Sequence, residues 1–358
     1  MTEQNCATSL LIVGDASPEH VGTHLLHAAR ELGLSAHFAD IREARGSAVA
    51  RRICWHLLEH RPGRLGAFSR QLVRMCASHR PAVVVATGLA PITAEALRRI
   101  GSMGAYRINY LTDDPWNPGQ LAPWFMRALR EYDEVFSTRR ANLEDLRALG
   151  CKRVGHLPFA FAPDLYFPEF PSPEIRAQLE TDIVFAGGAD TDRLPYITAL
   201  AGAGFRVGLY GQYWERYAET RKLTRGYQPP ACVRAAVAAA KVALCLVRRA
   251  NRDGSCMRTF EVPAMGACML VEKTDEHIEI LGPEGQAVLY FDTIPEMIDK
   301  TRWLLEHETE RHRLRDAAHR LIVGGEHTYR DRLTVMLQSA NAARSMGMPI
   351  PRLQSTAK

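Results

Sequence analysis

The sequence predicts an α/β protein of two doubly wound, Rossmann-like parallel-sheet domains facing a cleft. Three observations carry this. Short apolar runs alternate with amphipathic stretches along most of the chain, the pattern of successive βαβ units. The 358 residues exceed the ~100–200 of an ordinary single domain. Pro158, Pro163, Pro168, Pro171 and Pro173 crowd together near the middle, where fixed φ and missing donors suit a connector rather than a sheet interior.

In the first half, Leu10 to Val13 reads as a buried strand ending at Gly14. A turn at Asp15-Ala16-Ser17-Pro18 leads to a helix with Leu25, Ala28, Ala29 and Leu32 on one face and Gly33 as its stop. Ser35 to Ala39 is the next strand, and 47–80 is helical and Arg-rich. Strands at Val83–Ala86, Tyr106–Leu111 and Glu134–Ser137 alternate with helices at 91–100, 119–131 and 139–149. After the prolines, strands are expected at Asp182–Ala186, Arg206–Tyr210, Val242–Leu246, Cys268–Val271 and Ala287–Tyr290. Helices are expected at 192–203, 231–240, 258–265 and 294–320. The division that follows is an N-terminal domain over 1–160, a linker over 161–178 and a C-terminal domain over 179–325. A final helix over 326–345 packs back on the first domain, with a tail at 346–358.

Composition narrows the function. The 45 basic residues exceed the 40 acidic by a net +5, mostly as scattered Arg, so no nucleic-acid partner is expected. None of the eight cysteines forms a CxxC pair, which reads as reduced thiols in a cytoplasmic protein rather than a zinc site. The run Leu10 to Val13 is too short for a signal-peptide core, and no stretch approaches the ~18 apolar residues of a membrane span. Gly14 lacks the G-x-G-x-x-G continuation of a dinucleotide fingerprint, which disfavours a dehydrogenase.

Ligands of open α/β sheets bind beyond the carboxyl ends of the strands. That rule selects Gly14 to Gly22 (with Asp15 and His20), Thr87-Gly88 and Thr112 to Pro115 in the first half. In the second it selects Gly187-Gly188, Tyr210-Gly211 and 248–261. The last stretch is the richest. Gly254 lets a backbone approach a ligand, the helix start near Ser255 to Thr259 offers free N–H groups, and Arg258 adds a fork for phosphate. Glu261, one turn further, is placed to accept two hydrogen bonds from vicinal hydroxyls such as those of a ribose. The competing reading is a capped helix with a surface Glu and Arg. Arg193 and Lys241 either join the phosphates or lie on the surface. Asp113 and Asp114 are either a general base or a turn cap. His20, His24 and His27 share one helix stripe, but no acid or Cys completes a metal set, so no metal is expected.

These residues carry a resemblance. Arg258-Thr259-Phe260-Glu261 followed by Ala264 and Gly266 resembles the R-T-F-E-x-x-A-x-G run of the CgeB-like glycosyltransferases, a branch of the GT-B glycosyltransferases. Asp182 to Gly187 resembles the strand that opens their donor domain, and Tyr210-Gly211-Gln212-Tyr213-Trp214 resembles their Y-G-x-x-W. Glu326-His327-Thr328-Tyr329 with Arg332 resembles their terminal H-T-(Y/W)-x-x-R. The segment His156-Leu157-Pro158, with Asp164 to Pro168, resembles their crossover. Asp253 and Glu261 resemble the E-x7-E element of retaining GT-B enzymes, with Asp for the first Glu. The likeness covers 150–345 well and 1–150 in outline.

The resemblance implies a GT-B fold and a metal-independent hexosyltransferase using a nucleoside-diphosphate sugar, with no resident cofactor. Gly187, Gly188, Arg193, Tyr210, Gly211, Lys241, Gly254, Ser255, Arg258, Thr259 and Glu261 would bind the donor. Asp113, Asp114, His20 and Asp253 are the catalytic candidates, and Gly14, Asp15, Gly22 and Thr87 stand on the acceptor side. The acceptor is a glycan, a small molecule or a protein. Alternatives are a GT-B nucleotide-sugar epimerase and a non-catalytic GT-B module binding nucleotide, glycan or a protein partner. Base, sugar, stereochemistry and oligomeric state are not legible.

Overall fold

In a computed structural model of the chain, the described residues are 9–47 and 59–345. They form two compact units. One comprises the residues up to Pro158 together with those from Tyr329 onward, and the other is Phe159–Thr328.

The first unit holds six parallel strands, β1 (Leu10–Gly14), β2 (Ala36–Asp40), β3 (Val83–Thr87), β4 (Tyr106–Leu111), β5 (Glu134–Ser137) and β6 (Val154–His156), in the order β2-β1-β3-β4-β5-β6. Leu10 pairs with both Ala36 and Val83, which fixes the register at the centre. β1 and β3 are buried throughout, so both faces must be covered and their sequences are continuously apolar rather than alternating. The covers are α1 (Val21–Glu31), α2 (Leu65–His79), α3 (Ala94–Ser102), α4 (Pro123–Leu129), α5 (Leu143–Leu149) and α13 (Tyr329–Ser345). Each Val, Leu, Ile or Phe side chain fully buried here contributes roughly 1.5–3 kcal/mol. α1 buries Leu25, Ala28 and Ala29, and α3 is capped by the Thr93 hydroxyl on the Ala96 N–H.

The second unit holds β7 (Ile183–Ala186), β8 (Val207–Tyr210), β9 (Val242–Cys245), β10 (Met269–Glu272) and β11 (Leu289–Phe291), all parallel, in the order β11-β10-β9-β7-β8. Its helices are α6 (Pro173–Leu179), α7 (Leu194–Gly202), α8 (Pro230–Ala239), α9 (Arg258–Ala264), α10 (Asp275–Leu281), α11 (Ile294–Glu306) and α12 (Glu308–Val323). Strand order reverses between β1 and β3 in one unit and between β7 and β9 in the other. These are the switch points where ligands of such sheets sit.

Several elements differ from expectation. β6, α6 and α10 are additional. α6 lies in the proline-rich stretch, which Arg234 holds to the second unit by donating to Glu169 and to the Leu165 carbonyl and by covering the Phe167 ring. The 294–320 helix is two, broken at His307. α9 carries Pro263 inside it, where the missing N–H forgoes one helical bond, and it ends at Ala264, closed by Gly266 at φ +75°. In the 47–80 helix only Leu65–His79 is helical among the described residues, after Pro62 and Gly63. Residues 48–58, the tail at 346–358, Cys6 and Cys54 lie outside the described residues.

Candidate functional site

At the carboxyl end of β7, Gly187 and Gly188 face the loop after β8. The Gly187 N–H donates to Tyr210, and its carbonyl accepts from Trp214 Nε1 at 2.8 Å. A Cβ on Gly211 would meet the Gly187 carbonyl and stand 2.9 Å from the Gly188 N. Gly211 is therefore required by the close approach of two backbones, and Trp214, fully buried against Phe185, locks them. The Y-G-x-x-W pattern thus shapes the first loop from behind. Burial also pushes the Tyr210 hydroxyl above its usual range.

Arg193 is not on the surface. It is buried, donating to the Gly188 carbonyl at 3.1 Å and the Leu246 carbonyl at 3.2 Å, so it ties the ends of β7 and β9 across the switch point. Lys241 precedes β9 and pairs with Asp182, which precedes β7. It stands at the amino edge of the sheet, a strand length (roughly 13 Å) from the carboxyl ends. It therefore does not join the donor loops.

The 251–261 stretch divides. Glu261 is fully buried, and the Arg258 guanidinium is in ion-pair contact with it. Arg258 stands against Oε2, and Oε1 has no hydrogen-bond partner among the described residues. Arg258 also donates from Nε to the carbonyl of Ala186, the last residue of β7, at 2.6 Å, while 32% of its side chain remains exposed. A buried acid with one unpartnered oxygen beside a partly open cation is an arrangement that a polyhydroxyl, phosphate-bearing ligand can complete.

The other candidates of this stretch serve its shape. The Ser255 hydroxyl donates to Glu276 at 3.0 Å, and Thr259, fully buried, contacts His277 Nε2 at 3.0 Å. A Cβ on Gly254 would stand 2.5 Å from Glu276 Oε1, so this glycine admits Glu276 rather than a ligand. Asp253 accepts from the Arg248 N–H at 3.2 Å as a turn residue. Glu276 and His277 were not singled out in the sequence. They follow a legible helix cap, Thr274, but their reach back to 255–259 is tertiary.

In the first unit, a cavity of about 420 Å³ is lined by Asp15, His20, Arg45, Thr87, Asp113 and Trp124, among others. Gly22 also lines it, and Gly14 packs on Gly22 from behind. A Cβ on Gly14 would stand 2.7 Å from the Gly22 Cα, so the pair brings the end of β1 onto the start of α1. Burial raises the Asp15 pKa, but hydrogen bonds from Ser17 and the charges of His20 and Arg45 outweigh it, leaving the carboxyl below its ordinary value. The two adjacent acids separate. Asp113 lines the cavity, while Asp114 is buried and accepts from the Trp116 N–H at 3.0 Å. Arg139, unremarked in the sequence, holds the Thr112 carbonyl next to them at 2.6 Å. His24 is turned from the cavity and stacks on Tyr329 at 4.8 Å.

Two parallel-sheet units of this order define the GT-B fold. Residues 193–338 match the glycosyl transferase-like family. No curated protein matches the sequence. Solved structures similar to the chain include sucrose-phosphate synthase of Thermosynechococcus elongatus (TM-score 0.67, 11% identity, 95% of this chain and 100% of that one). HepE of Anabaena in complex with UDP is similar over 94% and 100% (TM-score 0.61, 13% identity). UDP-GlcNAc 2-epimerase of Neisseria meningitidis bound to UDP-GlcNAc is similar over 93% and 100% (TM-score 0.52, 11% identity). At these identities the likeness is one of fold, and the fold hosts more than one chemistry. Among the described residues, no helix is long and apolar enough to cross a membrane.

Proposed function

We propose that this protein is a glycosyltransferase that takes a sugar from a nucleoside-diphosphate donor. The observation that carries it is the buried Glu261, its Oε2 paired to Arg258 and its Oε1 without a partner among the described residues, inside the span that matches the glycosyl transferase-like family. Glu261 accepts the ribose hydroxyls. Arg258 turns its open edge to the diphosphate. Fixed donors aimed at the leaving diphosphate stabilise the charge that develops there as the glycosidic bond breaks. The reaction in this reading needs no metal. The first unit takes the acceptor in the cavity beside Asp15 and His20, with Asp113 as the base that removes the acceptor proton. The CgeB-like branch is the subfamily that the R-T-F-E run favours.

The test is a thermal-shift panel of UDP, GDP, TDP and their sugars, followed by product analysis with any ligand that binds. UDP is the first probe, since the Anabaena neighbour is a UDP complex. A ligand at 100 times its Kd adds about 2.7 kcal/mol to stability. Transfer or hydrolysis of the sugar that persists in EDTA supports the proposal. Inversion of the free sugar nucleotide at C2 identifies an epimerase, and binding without turnover identifies a binding module.

A further inference from the structure

Behind the donor loop lies a set of side chains that the proposed transfer does not use. Cys245 ends β9, and its Sγ is 3.7 Å from that of Cys256, just ahead of α9. Thr259 Oγ1 is 3.8 Å from Cys256 Sγ, accepts from the Cys256 N–H at 3.1 Å, and contacts His277 Nε2 at 3.0 Å. His277 Nδ1 is 2.7 Å from the Glu272 carbonyl.

A carbonyl only accepts, so Nδ1 of His277 carries a hydrogen. The Thr259 hydroxyl stands between the His277 ring and the Cys256 sulfur and links the two. Cys245 supplies the remaining hydrogen bond. Consistent with this, hydrogen bonds from Cys245 and His277 hold Cys256 well below the ordinary thiol value, and Cys245 is pushed well above it.

We infer that Cys245 and Cys256 form a peroxide-reactive pair, a modification site in which Cys256 is the attacking thiolate and Cys245 the resolving thiol. The Cys256 sulfur attacks one oxygen of hydrogen peroxide and the O–O bond breaks. The departing hydroxide takes up the proton that the Cys256 thiol has given up and leaves as water, so Cys256 becomes a sulfenic acid. Cys245 sulfur then attacks Cys256 Sγ, its proton passing to the sulfenic hydroxyl, which leaves as a second water. Two thiols and one peroxide become one disulfide and two waters. Peroxide is small enough to reach Cys256, which is partly exposed, while Cys245 is buried. Closing the sulfurs from 3.7 Å to the bonded ~2.05 Å draws Cys256, on its loop, toward a strand paired on both sides.

The experiment treats the reduced full-length protein with one equivalent of hydrogen peroxide and maps the unreduced digest. The expected result is an intact mass lower by two hydrogens and a Cys245–Cys256 linked peptide, formed before the exposed Cys232 reacts. Cys245→Ala should stop at a sulfenic acid on Cys256 that dimedone traps. Thr259→Val should slow oxidation of Cys256 about tenfold, with Thr259→Ser restoring it. Oxidation of Cys256 in the wild type no faster than that of Cys232, or linkage through other cysteines, overturns the inference. None of these readouts depends on which ligand the loop binds.

Discussion

Arg258 and Glu261 sit one helical turn apart with their charges in contact, the acid fully enclosed and the Arg258 side chain one-third exposed. In that pairing Arg258 neutralises Glu261 and, through the Ala186 carbonyl, fastens α9 to the end of β7. The first prediction follows. Glu261→Gln keeps the shape but loses the charge-assisted bonds to ligand hydroxyls, weakening nucleotide affinity by about 1–3 kcal/mol. Isothermal calorimetry with the nucleotide that binds wild type best is the measurement, and unchanged affinity would falsify the ribose role.

Asp113 and Asp114 are adjacent in sequence and opposite in use. Asp113→Asn should lower kcat with little change in Tm, because its side chain faces the cavity. Asp114→Asn should lower Tm, because it weakens a buried turn that the Trp116 N–H completes. Equal losses of activity with unchanged melting for both variants would count against the separation.

Gly254→Ala drives a methyl into Glu276, itself held by Ser255, and should destabilise by about 1–3 kcal/mol. Shortening Glu276 to Ala removes the obstacle, so the double variant should lose less than the sum of the singles. Chemical denaturation of all four proteins closes the cycle, and strict additivity would show that the two residues do not collide.

Asp133 accepts from Arg107 through N–H, Nε and NH2, and these bonds with the nearby charges outweigh burial to hold its pKa below the ordinary 3.8. A depressed carboxyl contributes stability that is full above the ordinary value and is lost as pH falls through the folded one. The advantage of wild type over Asp133→Asn should therefore be constant near neutrality and shrink below pH 3.8. Urea melts across that range check it; an advantage undiminished in strong acid would assign the effect to packing instead.

Much of this was legible because it is periodic. Continuous apolar runs located β1, β3 and β7, and strand ends nominated the loops. Glu261 was placed one turn from Arg258 by spacing alone, although its complete burial was not. The roles of single residues escaped where they depend on three-dimensional neighbours. Lys241 looks like a phosphate ligand until the parallel pairing puts it at the wrong edge. Gly254 and Gly14 look like ligand-approach glycines until Glu276 and Gly22 occupy the space. β6 and α10 are too short for periodicity to declare, and α6 lay hidden among prolines.

The helix Tyr329–Ser345 completes the unit that begins with β1, with the whole of Phe159–Thr328 intervening along the chain. During synthesis the intervening unit emerges contiguous and can collapse on local contacts, whereas the earlier one must wait with the α1 face beside His24 uncovered until Tyr329 arrives. Ribosome-stalled chains ending before Tyr329 are thus the ones for chaperones to guard, and their protease sensitivity should map to the earlier half.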